Sequence, residues 1–154
     1  MKSAVIRPAL NTERGALEAL QLRASLTNEG DRAALLAHPD AIAVPLEQIA
    51  AGDVFVLETE SAIAGFAAVI SRPDGDAELD ALFVEPDRRR EGAGRALVEH
   101  CAEVARQRGA SALLVIGNPH AFDFYRACNF KVEGTVATRF GPGLRMVRKI
   151  EAAG

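Results

Sequence analysis

Along the chain the spacing of apolar residues changes period several times, and each change marks an element. Ala4 to Ala9 reads as a short strand. Leu17, Leu20 and Ala24 recur at helical spacing, so a helix runs to about Leu26, with Asn11 or Thr12 as its cap. Asn28 to Gly52 is weaker and predicts short helical pieces around 31–37 and 46–51, broken by Pro39 and Pro45. The runs DVFVLET (Asp53 to Thr59) and AIAGFAAVIS (Ala62 to Ser71) predict an antiparallel pair turning at Glu60-Ser61. Pro73-Asp74-Gly75-Asp76 is a second turn signal, and Glu78 to Val84 is a third strand, stopped by Pro86.

A helix is predicted from Gly92 to Arg108. Leu97, Val98, Cys101, Val104 and Ala105 form its apolar face, opposite Glu99, Glu103, Arg106 and Gln107, and Gly109 ends it. The continuous apolar run Ala112 to Ile116 suits a strand covered on both faces. His120 to Ala127 is a short helix. Phe130 to Ala137 and Leu144 to Ile150 close the chain as an antiparallel pair around Phe140-Gly141-Pro142-Gly143. Glu78 to Ile116 makes a strand–helix–strand unit, which implies local parallel pairing and a right-handed crossover. The fold class is therefore α/β, with a mixed sheet.

With 154 residues, 49% of them hydrophobic, the chain is long enough for one domain with its own core. Its 21 acidic and 18 basic residues argue against bulk nucleic-acid binding. No run approaches the ~20 apolar residues of a membrane helix. The first apolar run, Ala4 to Ile6, ends at Arg7, which excludes a signal-peptide core there. Cys101 and Cys128 lie far apart without metal-type spacing, so they read as reduced thiols in a cytoplasmic protein with no bound metal.

The chemistry concentrates in Val84-Glu85-Pro86-Asp87-Arg88-Arg89-Arg90-Glu91-Gly92-Ala93-Gly94-Arg95. A strand ends, arginines follow, and two glycines open a helix. Helix N-termini carry unpaired N–H groups and the positive dipole end, and glycine lets an anion approach the backbone. This combination points to a phosphate or diphosphate site. A Walker loop is excluded because no Gly-Lys-Ser/Thr follows, and a dinucleotide G-x-G-x-x-G because position 97 is Leu. The plainer alternative is a solvated arginine-rich loop before a glycine-capped helix.

Arg89-x-x-Gly92-x-Gly94, after a strand ending Val84-x-Pro86, resembles the acetyl-CoA signature of the GNAT superfamily of N-acetyltransferases. A second segment, Asn118-Pro-His-Ala121-Phe-Asp-Phe124-Tyr125-Arg-Ala-Cys-Asn129-Phe130, resembles that family's N-x-x-A-x-x-F-Y-x-x-x-G-F, with Asn129 replacing the usual glycine. The order of elements fits from Ala4 to Ile150. The resemblance implies a single GNAT domain over 1–154. It also implies a mostly antiparallel mixed sheet of six to seven strands, with flanking helices and a splayed parallel pair at the acetyl-CoA site.

The activity it implies is transfer of an acetyl group from acetyl-CoA, as co-substrate, directly to a primary amine. The alternative is a non-catalytic acyl-CoA sensor or assembly module on the same fold. Backbone amides at Arg89, Arg90, Gly92, Ala93, Gly94 and Arg95 are then expected to hold the diphosphate. The backbone of Leu82, Phe83 and Val84 is expected to hold the acetyl and pantetheine groups, with Asn118 and Phe124 alongside. Tyr125, the sole tyrosine, aligns with the family's proton donor to the leaving thiolate. Glu78 and Asp80 share a strand face and are the candidate bases, directly or through water; the plainer reading of either is a sheet-edge or salt-bridged carboxylate. Arg23, Arg139 and Arg145 are further candidates, for an anionic group on the acceptor. The acceptor wall is expected around 22–49 and 138–144. Partners are acetyl-CoA and an amine, without nucleic acid or membrane, and apolar last strands allow a homodimer.

Overall fold

The computed structural model describes residues 4–27, 29–60 and 62–151, with backbone only at 29–31. The expected turn residue Ser61 lies outside the described residues. The chain divides into two compact units, Met1–Ala68 with Ala81–Leu97, and Val69–Asp80 with Val98–Gly154. The strands β3 (Ala62–Ser71) and β4 (Ala77–Val84) each contribute residues to both units.

In the first unit the strand order is β1-β2-β3-β4. β1 (Ala4–Pro8) pairs antiparallel with β2 (Val54–Thr59) from Ala4↔Thr59 to Pro8↔Phe55. β2 pairs antiparallel with β3, with a bulge at Leu57/Glu58. Among the described residues the α-helices before β2 are α1 (Arg14–Leu26), α2 (Glu29–Ala37) and α3 (Leu46–Ala50). Leu17 and Leu20 of α1 join Val44, Ile49, Val54, Val56, Phe66 and Ala68 in one apolar core. Complete burial of each such leucine contributes about 1.5–3 kcal/mol.

The expected cap at Asn11 or Thr12 is replaced by another device. Asn11–Glu13 is a 3-10 turn, and the Glu13 carboxylate reaches back to accept the Leu10 N–H at 2.8 Å. Arg7 holds the same carboxylate at 2.7 and 3.0 Å. A fixed carboxylate satisfies the orphan amide as well as a serine or asparagine would.

In the second unit the order is β3-β4-β5-β7-β6. The parallel pair is present: Ala77↔Leu113 and Glu78↔Leu114 join β4 to β5 (Ala112–Gly117). The ladder covers these two pairs, and β5 runs three residues beyond Leu114. β7 (Gly141–Lys149) pairs antiparallel with β5 and with β6 (Lys131–Thr138). Leu113, Leu114 and Val115 are all buried, as a strand covered on both faces requires. The closing turn is tighter than predicted. Thr138 faces Gly141 and Ala137 faces Pro142, so the turn residues are Arg139 and Phe140. Pro142 is tolerated in β7 because β5 pairs only from Leu144 onward.

The helix α4 (Ala93–Gln107) and short α5 (Phe122–Ala127) complete the α/β, seven-stranded mixed fold. Among the described residues no helix is long and apolar enough to cross a membrane, and no His, Cys, Asp or Glu cluster is arranged to hold a metal ion. Cys101 and Cys128 are buried free thiols, and burial pushes Cys101 up to about 12.

Candidate functional site

The first unit carries the diphosphate-loop candidate. β4 ends at Val84, Pro86–Arg88 form a 3-10 turn, and α4 begins at Ala93. Arg90 (φ 70°) and Gly92 (φ 88°) are both left-handed, on either side of Glu91. Glycine adopts this freely, whereas an arginine pays about 1–2 kcal/mol. A Cβ on Gly92 would meet nothing within 4 Å, so its backbone borders open space. The Ala96 N–H bonds the Gly92 carbonyl at 3.0 Å. The amides of Ala93, Gly94 and Arg95 precede that bond and are the helix's N-terminal orphans. Arg89, Arg90 and Arg95 are exposed beside them. Several N–H donors, a positive helix end and exposed arginines are a donor set that fits a diphosphate.

The loop's side chains are tied down in part. Arg88 donates to Glu91 and to the Thr59 hydroxyl, each at 3.0 Å. Arg89 donates to the Ala24 carbonyl of α1 at 3.2 Å. Arg23, expected toward the acceptor, instead makes a two-pronged pair with Glu85 at 3.0 and 2.6 Å. Leu82, Phe83 and Val84 are half-buried. The Phe83 ring lies 5.6 Å from Phe66 and packs on the core, which leaves the backbone of this stretch as its polar part. Gly65 on β3 lies so close beneath that a Cβ there would stand 2.8 Å from the Phe83 carbonyl oxygen.

The second unit carries the candidate acid–base groups. Ala77 and Leu79 are buried, which turns Glu78 and Asp80 to the other face of β4. Glu78 is held by Arg72 at 2.8 Å, whereas Asp80 is exposed. Tyr125 is buried, its ring edge-on to Phe124 at 5.1 Å and Phe130 at 5.5 Å. Burial first, and the neighbouring Cys128 second, push its hydroxyl above the usual phenol range, so it remains protonated at neutral pH. Asn118 caps the turn before α5 by accepting the His120 N–H at 2.9 Å. Asn129 is left-handed (φ 70°) and ends α5: its N–H bonds Arg126, and the Phe130 N–H bonds Tyr125, both at 3.0 Å. This is the αL helix stop that asparagine tolerates. Arg145 pairs with Glu133 at 3.4 Å, and Arg139 stacks on Phe140 at 5.4 Å.

Four residues escaped the sequence reading. Gly65 and Gly117 matter through close approach, Arg72 through Glu78, and Glu85 through Arg23. A Cβ on Gly117 would stand 3.2 Å from the Tyr125 ring and 2.5 Å from Met146 Cε. Only the unexplained glycine inside each apolar strand hinted at these contacts.

Comparison with known proteins adds an independent line. The acetyltransferase (GNAT) family profile matches residues 20–130, most of the chain. Peptidyl-lysine N-acetyltransferase YjaB of Salmonella typhimurium is 41% identical over 56 residues, 36% of this chain. That alignment spans only 37% of the relative's own length. The ribosomal-protein-S18-alanine N-acetyltransferase of Escherichia coli is 25% identical, with TM-score 0.70 over 98% of this chain and 96% of its own. PaiA N-acetyltransferase of Thermoplasma acidophilum, solved with coenzyme A, is 18% identical, with TM-score 0.77 over 96% and 99%. The match from α1 through the close of α5, on a mixed sheet with its parallel β4–β5 pair, makes this chain a member of the GNAT acetyltransferase family.

Proposed function

We propose that the chain, as one domain over 1–154, is an acetyl-CoA-dependent N-acetyltransferase that moves an acetyl group directly to a primary amine in a ternary complex. The observation that carries this is the left-handed Arg90–Gly92 loop that opens α4, after the Pro86–Arg88 turn that follows β4. The relatives named above for peptidyl-lysine and ribosomal alanine acetylation support an amine acceptor, a peptide amine among the classes to test.

The residue roles follow the chemistry. Amides at Arg89, Arg90, Gly92, Ala93, Gly94 and Arg95 bind the diphosphate. The Leu82–Val84 backbone orients the thioester, and Asn118 and Phe124 line the pantetheine path. The amine must shed a proton, since a lysine-like amine has a pKa near 10.4. Glu78 and Asp80 are the candidate bases, directly or through water, and Glu78 also holds Arg72. Tyr125 supplies the O–H donor to the departing thiolate. With its pKa raised by burial, it acts chiefly by hydrogen bonding to the sulfur.

The test is thiol release from acetyl-CoA over a panel of amine classes, for wild type and Tyr125→Phe. Wild-type turnover is expected on at least one class. Tyr125→Phe should lower kcat by about 10²-fold or more while leaving acetyl-CoA affinity unchanged. Wild-type binding of acetyl-CoA with no turnover on any amine overturns catalysis in favour of a sensor.

A further inference from the structure

Within the first unit, the C-terminal end of α1 is fastened to the segment after β4. Arg23, in the last turn of α1, grips both oxygens of Glu85. Glu85 is itself fixed in the sheet, its N–H bonding the Ala64 carbonyl at 2.8 Å. Four residues on, Arg89 donates to the Ala24 carbonyl. That carbonyl lies in the last turn of the helix, where cations are favoured. It also accepts from the Thr27 hydroxyl at 2.7 Å. Arg23 and Glu85 line a cleft of about 400 Å³ together with Leu17, Leu20, Glu58 and Ile63.

A half-exposed ion pair adds little stability, so this fastening matters for geometry more than for folding. It spans 62 residues of sequence and joins two stretches with separate expected tasks: α1, at the start of the acceptor wall, and the diphosphate loop. We propose that Arg23, Glu85 and the Arg89 side chain are positioning residues that latch α1 to that loop, so that seating acetyl-CoA also orders the acceptor side. An anion that immobilises the loop removes freedom the latch would otherwise share with α1, and ordering of one site then lowers the cost of ordering the next. This inference rests on the acetyltransferase reading above.

Hydrogen exchange read by mass spectrometry, with and without saturating acetyl-CoA, tests it on wild type, Arg23→Gln, Glu85→Gln, Arg23→Lys and the reversed pair Arg23→Glu/Glu85→Arg. In wild type, bound acetyl-CoA should slow the last-turn amides of α1 by about fivefold or more. Arg23→Gln and Glu85→Gln should bind acetyl-CoA yet lose most of that slowing, and the reversed pair should regain it. Arg23→Lys keeps the charge but loses the fork, so it falls with Arg23→Gln and separates geometry from a folding defect. Slowing of α1 as large in Arg23→Lys and Arg23→Gln as in wild type overturns the latch. So does wild-type acetyl-CoA binding that leaves α1 exchange untouched. Wild-type protein that binds no acetyl-CoA overturns the acetyltransferase reading instead.

Discussion

Gly65→Ala tests whether the closeness of β3 to the end of β4 is a structural requirement. The new methyl would stand 2.8 Å from the Phe83 carbonyl oxygen, 3.2 Å from Leu97 Cδ1 and 3.3 Å from Val84 Cγ2. The two side chains can rotate aside. The carbonyl cannot, because it belongs to a backbone that is pinned one step further on by the Glu85-to-Ala64 hydrogen bond. Comfortable non-bonded separations begin near 3.5 Å, so the end of β4 must retreat by several tenths of an ångström. Overpacking of this kind costs about 1–3 kcal/mol, and a rigid partner places it near 2 kcal/mol. For a chain of this size that lowers Tm by about 4–8 °C. The atoms displaced are the Leu82–Val84 backbone assigned to the thioester, so acetyl-CoA affinity should fall about tenfold, in line with the cost of sub-ångström misplacement. Scanning calorimetry gives the first number and titration calorimetry the second. Gly15→Ala is the control: a Cβ there meets nothing within 4 Å on helix α1, so it should stabilise by about 0.5–1 kcal/mol. A Gly65→Ala protein that melts and binds like wild type would refute the reasoning.

Two further outcomes follow. Gly117→Ala drives a methyl against Met146 Cε and the Tyr125 ring and should destabilise by about 1–2 kcal/mol, less in a Met146→Val background; additive costs in a urea double-mutant cycle would count against the contact. The Glu13 carboxyl is held below the usual carboxylate range, first by its hydrogen bond from Arg7. A depressed folded value means the stabilisation is present above the unfolded pKa of roughly 4.3 and is lost as pH falls through the folded value. Urea midpoints measured from pH 6 to pH 3 should therefore fall more steeply for wild type than for Glu13→Gln; parallel curves would remove Glu13 from the acid response.

The fold was legible where local pattern and tertiary demand agree. The β2 and β3 runs, the α4 stripe with Gly109 behind it, and the apolar β5 each state their surroundings in their own residues. The closing turn was misread because Gly141-Pro142-Gly143 looks like a turn by composition. The finite length of β5 is what permits proline inside β7, and no local signal reports that length. The start of α1 was misread because its capping carboxylate also depends on Arg7, which lies on a different element. At the site, Gly92 and the Asn129 stop were readable because backbone handedness selects glycine and asparagine; the left-handed Arg90 was not, since arginine does not favour that region. The engagement of Glu78 by Arg72 and of Arg23 by Glu85 was not, since paired surface charges look identical to free ones until the chain is folded. Gly65 is silent for the same reason: the absence of a side chain says nothing of which backbone fills the space.

The most direct test of the account is calorimetric titration of the wild-type protein with acetyl-CoA at low salt, repeated in competition with ATP and with NAD. One acetyl-CoA should bind per chain, more weakly as salt rises, with neither nucleotide displacing it and with affinity reduced by Gly92→Ala, which strains the left-handed turn. No measurable binding, or displacement by ATP or NAD at matched concentration, would contradict the assignment of the Arg89–Arg95 loop to an acyl-CoA diphosphate.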